Sequence, residues 1–430
     1  MEHLEVYTLV ISFLFFLVVG VPVAYSVGLS SLLTILVNID QMPAFTTMAQ
    51  RMATGLDSFS LLAIPFFILA GQIMNQGGIA HRLIAFAKAL VGSFPGGLAY
   101  VNIIGAMLFG AISGSAMAAV SAIGGTLGPR MEKEGYEKSY SAAVNIASST
   151  TGLVIPPSNI LIVYSLASGG VSIAALFLAG YIPGILMGLA LMLVAFVYAK
   201  IKNYPRGEKS SLKTLVTTFI HAFPSLMMLV VVIGGIVVGI FTATEASGIA
   251  VLYTFVLALI YRELSIEKIR SIAVSAVGTT AVVALLIACS MSMSWVMAYA
   301  DIPQAVTAGL LSVSDNPIVI LLLINLLLLC VGVFMDMTPA VLIFTPIFLP
   351  VVTAIGIDPV HFGIIMVMNL CIGLCTPPVG SVLFVGIGVA GISLDKVIKP
   401  LIPLFIAMII VLLLVTYIPQ LSLFLPQLFD

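Results

Sequence analysis

Charge is what this sequence has least of. Of its 430 residues only 16 are Lys or Arg and 17 are Asp or Glu, 8% of the chain, for a net −1. Soluble domains carry about 25% charged residues. With 61% hydrophobic residues and a mean hydropathy of +1.25, a water-soluble globule is excluded. The missing positive excess removes any electrostatic case for nucleic acid. Histidine is almost as scarce: His3, His81, His221 and His361 are scattered. No activated nucleophile or metal cluster accompanies them, so enzyme chemistry has no visible machinery. Cys289, Cys330, Cys371 and Cys375 all lie within apolar runs and are read as small, buried packing thiols. Phosphate loops, catalytic triads and HExxH zinc sites are absent. The start of the chain is acidic (Glu2, Glu5) and has no basic lead, so no cleavable signal peptide is expected.

What fills the chain instead is a series of apolar runs, each about 16–28 residues, long enough to cross a core of roughly 30 Å as helix. They lack the two-residue alternation of barrel strands. The expected fold is an all-α polytopic membrane protein in two halves, 1–205 and 214–430. The first half has spans over 6–20, 22–37 and 59–76, with a polar-sprinkled surface stretch, Asp40 to Asp57, that holds Arg51. Residues 79–92 interleave His81, Arg82 and Lys88 with apolar positions, which suits either an interfacial helix or a surface connector. Residues 96–131 are too long for one crossing and are interrupted between Gly110 and Ser115, predicting a re-entrant helical hairpin. A broken helix over 139–169 and a span over 171–199 follow. The second half replays this order: spans over 222–241, 244–262 and 270–297, a connector over 301–315, a hairpin over 316–354 with its tip at Gly332 to Thr338, a broken helix over 360–391 and a last span over 398–418.

The loop 200–213 carries Lys200, Lys202, Arg206, Lys209 and Lys213 against one acid, Glu208. By the positive-inside rule it is cytoplasmic. Counting about five crossings plus one hairpin per half, the number of passes is odd, so the second half is inverted and the N-terminus falls outside. The remaining bases agree with this count apart from Arg51.

The hairpin and broken helix of one half echo those of the other at an offset of 221 residues: Pro129 falls on Pro350, Gly135 on Gly356, Gly152 on Gly373, and Pro156-Pro157 on Pro377-Pro378. A proline has no N–H for the carbonyl four residues earlier and clashes with it. The pairs are therefore expected to release the carbonyls of Gly152 and Leu153, and of Gly373 and Leu374. Freed carbonyls in hydrocarbon cost several kcal/mol unless satisfied, and interrupted helices at matched positions point to a transporter's binding site. The alternative is a plain proline kink in each. With oxygen ligands and no charge, two sodium sites are expected: one from Gly110, Ser113, Gly152, Ile155 and Pro157, the other from Gly332, Gly373, Thr376 and Val379. The same interruptions leave helix N-termini pointing inward at Ser115, Ser158, Asn159, Thr338, Gly380 and Ser381. Such ends attract anions, although Ser, Thr and Asn are also ordinary caps. An organic acid between two sodium-loaded tips is the natural combination. Asp336 either touches an ion or caps the helix that starts at Thr338. Glu245 is either an intramembrane functional acid or the marker of a break. Trp295, the only tryptophan, reads as an interface anchor.

The tip FGAISGSAMAAVSAIGGTLGPRMEKEGY, the break SSTTGLVIPPSN, and GVFMDMTP and CTPPVGSVLFV in the second half resemble the large membrane subunit of tripartite ATP-independent periplasmic (TRAP) transporters. The resemblance covers essentially the whole chain. It implies a sodium-coupled secondary importer of organic acids in a bacterial cytoplasmic membrane, with an elevator-type mechanism. The transport domain would be the hairpins and broken helices, and the other spans the scaffold. It also implies two partners, a small four-helix membrane (Q) subunit and a periplasmic substrate-binding (P) protein, with sodium ions as coupling ions and no other cofactor. The chain starts directly at the large subunit, so a separate small subunit is expected. C4-dicarboxylates and sialic acid are both carried by similar subunits. The competing reading is a stand-alone sodium-coupled dicarboxylate or citrate symporter, which needs no binding protein.

Overall fold

Glycine and proline punctuate an otherwise continuous run of helix. The computed structural model describes residues 4–207, 211–314 and 316–429; Glu2, His3, Glu208 and Lys209 lie outside them. Helices α1 (Leu4–Val18) and α2 (Val23–Asn38) are parted at Gly20, whose φ of +88° disfavours a side chain. Then come α3 (Gln41–Leu56), a 3-10 turn (Phe59–Leu62), α4 (Ala63–Gln76) and α5 (Ile79–Val91). The first hairpin is α6 (Gly97–Ser113) and α7 (Ala116–Lys133), turned at Gly114 with φ +62° and capped by Ser115, which accepts from Ala118 N–H. The first broken helix is α8 (Lys138–Thr151) and α9 (Asn159–Ala167), followed by α10 (Ile173–Lys202).

The second half runs α11 (Leu212–Val237), α12 (Ala243–Ile260), α13 (Ile266–Tyr299) and α14 (Ile302–Val313). Its hairpin is α15 (Pro317–Phe334) and α16 (Met337–Ala354), its broken helix α17 (Pro359–Leu374) and α18 (Ser381–Ala390). Helices α19 (Leu394–Tyr417) and α20 (Gln420–Phe429) end the chain. Start signals are local: Asn316 caps α15 ahead of Pro317, and Asp358 caps α17 ahead of Pro359. Eight of the described helices are long and apolar enough to cross a bilayer.

Three elements depart from expectation. The polar-sprinkled stretch is the helix α3, lying against α13. The connector 301–315 holds the helix α14, and α20 extends the chain past the last expected span. Packing sorts the helices into two groups. In one, α2 and α3 lie on α13, α12 on α4, and α11 on α5 and α12. In the other, each hairpin lies on its own broken helix (α6 on α8, α15 on α17), and α10 and α19 join them, with α19 on α8 and α10 on α17. Spans 171–199 and 398–418 thus pack with the hairpins and broken helices, not with the remaining spans where they were expected. Apolar stripes on α10 and α19 find their complement there: Met187, Leu191, Leu404 and Met408 are fully buried. Helices α5 and α14, ahead of each hairpin, touch both groups.

Candidate functional site

The interruptions fall where the sequence puts them, and in both halves a glycine lies against a glycine. A methyl group on Gly152 would sit 2.5 Å from the Gly110 Cα, and one on Gly373 would sit 2.5 Å from the Gly332 Cα. Backbones that close leave room for no side chain, which is what glycine supplies. One to two turns below each contact lies a buried polar pair. Ser148 Oγ donates to Asn102 Oδ1 at 3.0 Å in the first half, and Asn369 Nδ2 donates to Asn325 Oδ1 at 2.7 Å in the second. In the second half the chain continues through Asn325 Nδ2 to Thr416 Oγ1 at 3.1 Å. A further bond ties each hairpin to its own broken helix beside the backbone contact, from Asn145 Nδ2 to the Val120 carbonyl at 2.7 Å and from Thr345 Oγ1 to Met366 Sδ at 3.3 Å.

The prolines release fewer carbonyls than expected. Ser158 Oγ donates to the Leu153 carbonyl, and the Thr376 N–H donates to that of Gly373 at 2.9 Å. Those of Gly152 and Leu374 accept no hydrogen bond from the described residues. The Leu374 and Thr376 carbonyl oxygens converge on Gly380, lying 2.6 and 2.9 Å from where its Cβ would be. Thr376 Oγ1 gives its proton to Ile372, at 2.7 Å. Ile155 points at α10, its Cγ1 2.4 Å from the position of a Cβ on Gly184. The two breaks differ in cover: Pro156, Pro157 and Ser158 are buried, whereas Pro378 and Val379 are exposed.

Both hairpin tips and both interruptions meet at a cavity of about 530 Å³. Ser113, Ser115, Asn159, Asp336, Thr338 and Ser381 line it, while Ser158 and Gly380 do not. Ser115 is a true cap, whereas Asp336 occupies the N-cap position of α16 without a side-chain cap bond and faces the cavity instead. The Ser381 hydroxyl is buried without a hydrogen-bond partner. Among the described residues Asp336 is the only charged one in the lining, and no basic side chain joins it there. The opposite wall comes from the other helix group: Gln72 on α4 and Gly278 and Thr279 on α13. Sequence reasoning missed these three. Their signal was an amide at Gln72, one turn ahead of Asn75 and Gln76, and a GTT run inside an otherwise apolar span.

Other expectations are corrected by local contacts. Glu245 forms a capping box with Thr242: its Oε2 accepts from both the Thr242 N–H and hydroxyl at 2.8 Å, and its own N–H is met by Thr242 Oγ1. It marks the start of α12. Trp295 packs with Arg51, whose guanidinium lies 5.5 Å from the centre of its ring. Three cysteines are buried as expected, and Cys330 is exposed. Among the described residues no group of three His, Cys, Asp or Glu is placed to hold a metal.

Residues 10–421 match the model of a family described as "Tripartite ATP-independent periplasmic transporter, DctM component". The chain is 57% identical to the uncharacterised protein YgiK of Salmonella typhimurium, over 97% of this chain and 96% of that one. It is 43% identical to the isethionate TRAP transporter permease protein DctMQ of Oleidesulfovibrio alaskensis, over 96% of this chain and 65% of that longer one. Identity to the C4-dicarboxylate TRAP transporter large permease protein DctM of Rhodobacter capsulatus is 38%, over 95% and 96% of the two chains. In fold it is similar to the YdaH transporter of Alcanivorax borkumensis, with a TM-score of 0.66, 12% identity, and coverage of 95% of this chain and 97% of that one. An all-helical, multi-pass chain whose helix interruptions meet at one cavity, and whose residues 10–421 match this family's model, belongs to the DctM family of TRAP transporters, as a large membrane permease component.

Proposed function

We propose that the chain is the permease of a sodium-coupled secondary importer of an organic acid, delivered by a periplasmic binding protein and moved by an elevator motion. The observation that carries this is the meeting of both hairpin tips and both interrupted helices around one cavity, with Leu374, whose carbonyl is unpartnered among the described residues, in its lining. Uncharged oxygens clustered at membrane depth suit a monovalent hard cation. The first sodium ion would be held among Gly110, Ser113, Gly152, Ile155 and Pro157, the second among Gly332, Gly373, Thr376 and Val379, with the Leu374 carbonyl as a further ligand. A carboxylate in the cavity would find no basic side chain; the N-terminal turns of α7, α16 and α18, the Ser381 hydroxyl and a neighbouring cation would balance its charge. Asp336 would face that cation. Relatives of comparable identity are named for isethionate and for C4-dicarboxylates, so the class of substrate is an organic anion and the particular acid is left to experiment.

The second half would be inverted relative to the first, with the basic 200–213 loop cytoplasmic and the N-terminus periplasmic. Lipid and the small membrane subunit would cover the outer helix group. The test is uptake of labelled isethionate, a C4-dicarboxylate and sialic acid into proteoliposomes holding the permease with its small subunit. Uptake of one acid is expected only when an inward sodium gradient and the binding protein are both supplied. Uptake that persists after potassium replaces sodium removes the coupling; uptake without the binding protein removes the tripartite arrangement.

A further inference from the structure

A larger cavity, of about 970 Å³, opens at the base of the first hairpin, at the opposite end from its tip. Its floor is apolar, with Ile84 and Leu127 fully or nearly buried. Its rim is basic: His81 and Lys88 on α5, Arg130 on α7, and Arg206 after α10. Glu134 is the one acid among the described residues of the lining, and it is paired with Arg130 Nε at 3.2 Å. Arg206 is held there by the main chain, because it pairs with Pro95 across the α5–α6 turn and Gly96 N–H donates to the Pro205 carbonyl at 3.2 Å. The first turn of α11 also opens onto the cavity through Ser211 and Thr214, adding the positive end of a 26-residue helix.

We infer that this cavity binds the headgroup of an anionic phospholipid, with the phosphate between Lys88 and Arg206 and the acyl chains leaving over Ile84 and Leu127. Basic pockets between membrane helices recognise such headgroups. A free phosphate would use the rim and gain nothing from the floor, whereas an amphiphile uses both. The cavity is bounded by α5 and α11 on one side and by the first hairpin on the other, so a lipid there would bridge the two helix groups. The inference needs the chain's membrane embedding and is independent of the coupling ion proposed above.

Native mass spectrometry of the purified full chain, offered equal amounts of phosphatidylglycerol and phosphatidylcholine, tests it. The anionic lipid should be retained about fivefold better or more. The Lys88→Gln/Arg206→Gln variant should fall to near parity, while Lys133→Gln/Lys200→Gln, which loses the same charge outside the cavity, should keep the preference. Should the double variant be lost on extraction, Lys88→Gln alone reads the same change at smaller amplitude, since Lys88 is exposed. Equal retention of the two lipids by the unaltered chain, or an equal loss in both double variants, overturns the inference. So does displacement of the lipid by millimolar inorganic phosphate, which would reassign the rim to a free anion.

Discussion

At the scale of single residues, glycine carries most of the argument. A Cβ on Gly152 would meet three backbone atoms of the first hairpin within 3 Å, Gly110 Cα and C and the Ala106 carbonyl oxygen. Main chain cannot turn aside as a side chain can, so Gly152→Ala must push hairpin and broken helix apart. Overpacking of this kind costs about 1–3 kcal/mol. If the neighbouring carbonyls hold sodium, the half-saturating sodium concentration for uptake should rise about tenfold or more, equivalent to about 1.4 kcal/mol. Gly125→Ala is the control, because nothing lies within 4 Å of its Cβ position. An unchanged sodium dependence in a folded Gly152→Ala protein would count against the site. Glu245 makes the opposite case. Its carboxylate is spent on Thr242, so Glu245→Ala, which removes the capping box, should lower the melting temperature and leave sodium dependence where it was. A lost sodium response would restore its functional reading. The glycine contact was legible because the two halves place Gly152 and Gly373 alike. The capping box was legible as well, in the T-x-x-E spacing from Thr242 to Glu245, yet an acid between two apolar runs draws attention as an ion site first.

At the scale of elements, each hairpin is tied to its broken helix by a buried amide or hydroxyl pair. Removing Asn369 leaves Asn325 Oδ1 without its donor, at a cost of about 1–3 kcal/mol for a buried polar group. Asn325→Leu, Asn369→Leu and the double variant form a cycle. The double variant should melt at least about 0.5 kcal/mol above the sum of the singles, whereas strict additivity would mean the pair is not coupled. Hairpins and broken helices were readable from sequence because Gly and Pro mark backbone exceptions that hydropathy alone does not. Helix α3 was not, because its polar residues dilute the apolar signal on which spans are recognised. Helix α14 hides behind Asp301, which adopts φ +51° to start it, and α20 follows Pro419 with only ten residues. Nor does sequence say which helices pack together: hydropathy identifies α10 and α19 as spans without naming the neighbour their buried faces meet.

At the scale of the whole molecule, the halves exchange partners. Helix α2 packs on α13 as α12 packs on α4, α7 on α18 as α16 on α9, and α8 on α19 as α17 on α10. Every such pair has one member from each half, so neither half has a complete core of its own, and the hairpin group holds together as a body built from both. Between that body and the outer helices lies the cavity, lined on one side by Met117 and Thr338 and on the other by Thr279 and Val282. A cavity at the seam of two bodies is where rigid sliding opens a path with little repacking inside either. Elevator motion therefore predicts that joining the walls stops transport. Met117→Cys with Thr279→Cys, in a Cys330→Ser background because Cys330 is exposed, can be bridged by a reducible thiol cross-linker. Bridged protein in proteoliposomes should fall to about a tenth of its uptake or less and recover on reduction. A pair placed within the hairpin body, Val389→Cys with Gly128→Cys across α18 and α7, should tolerate the same bridge, since those positions face one small cavity inside the body. Full uptake with the first bridge in place would mean the two groups do not slide past each other, and access to the cavity would have to come from local opening of the tips.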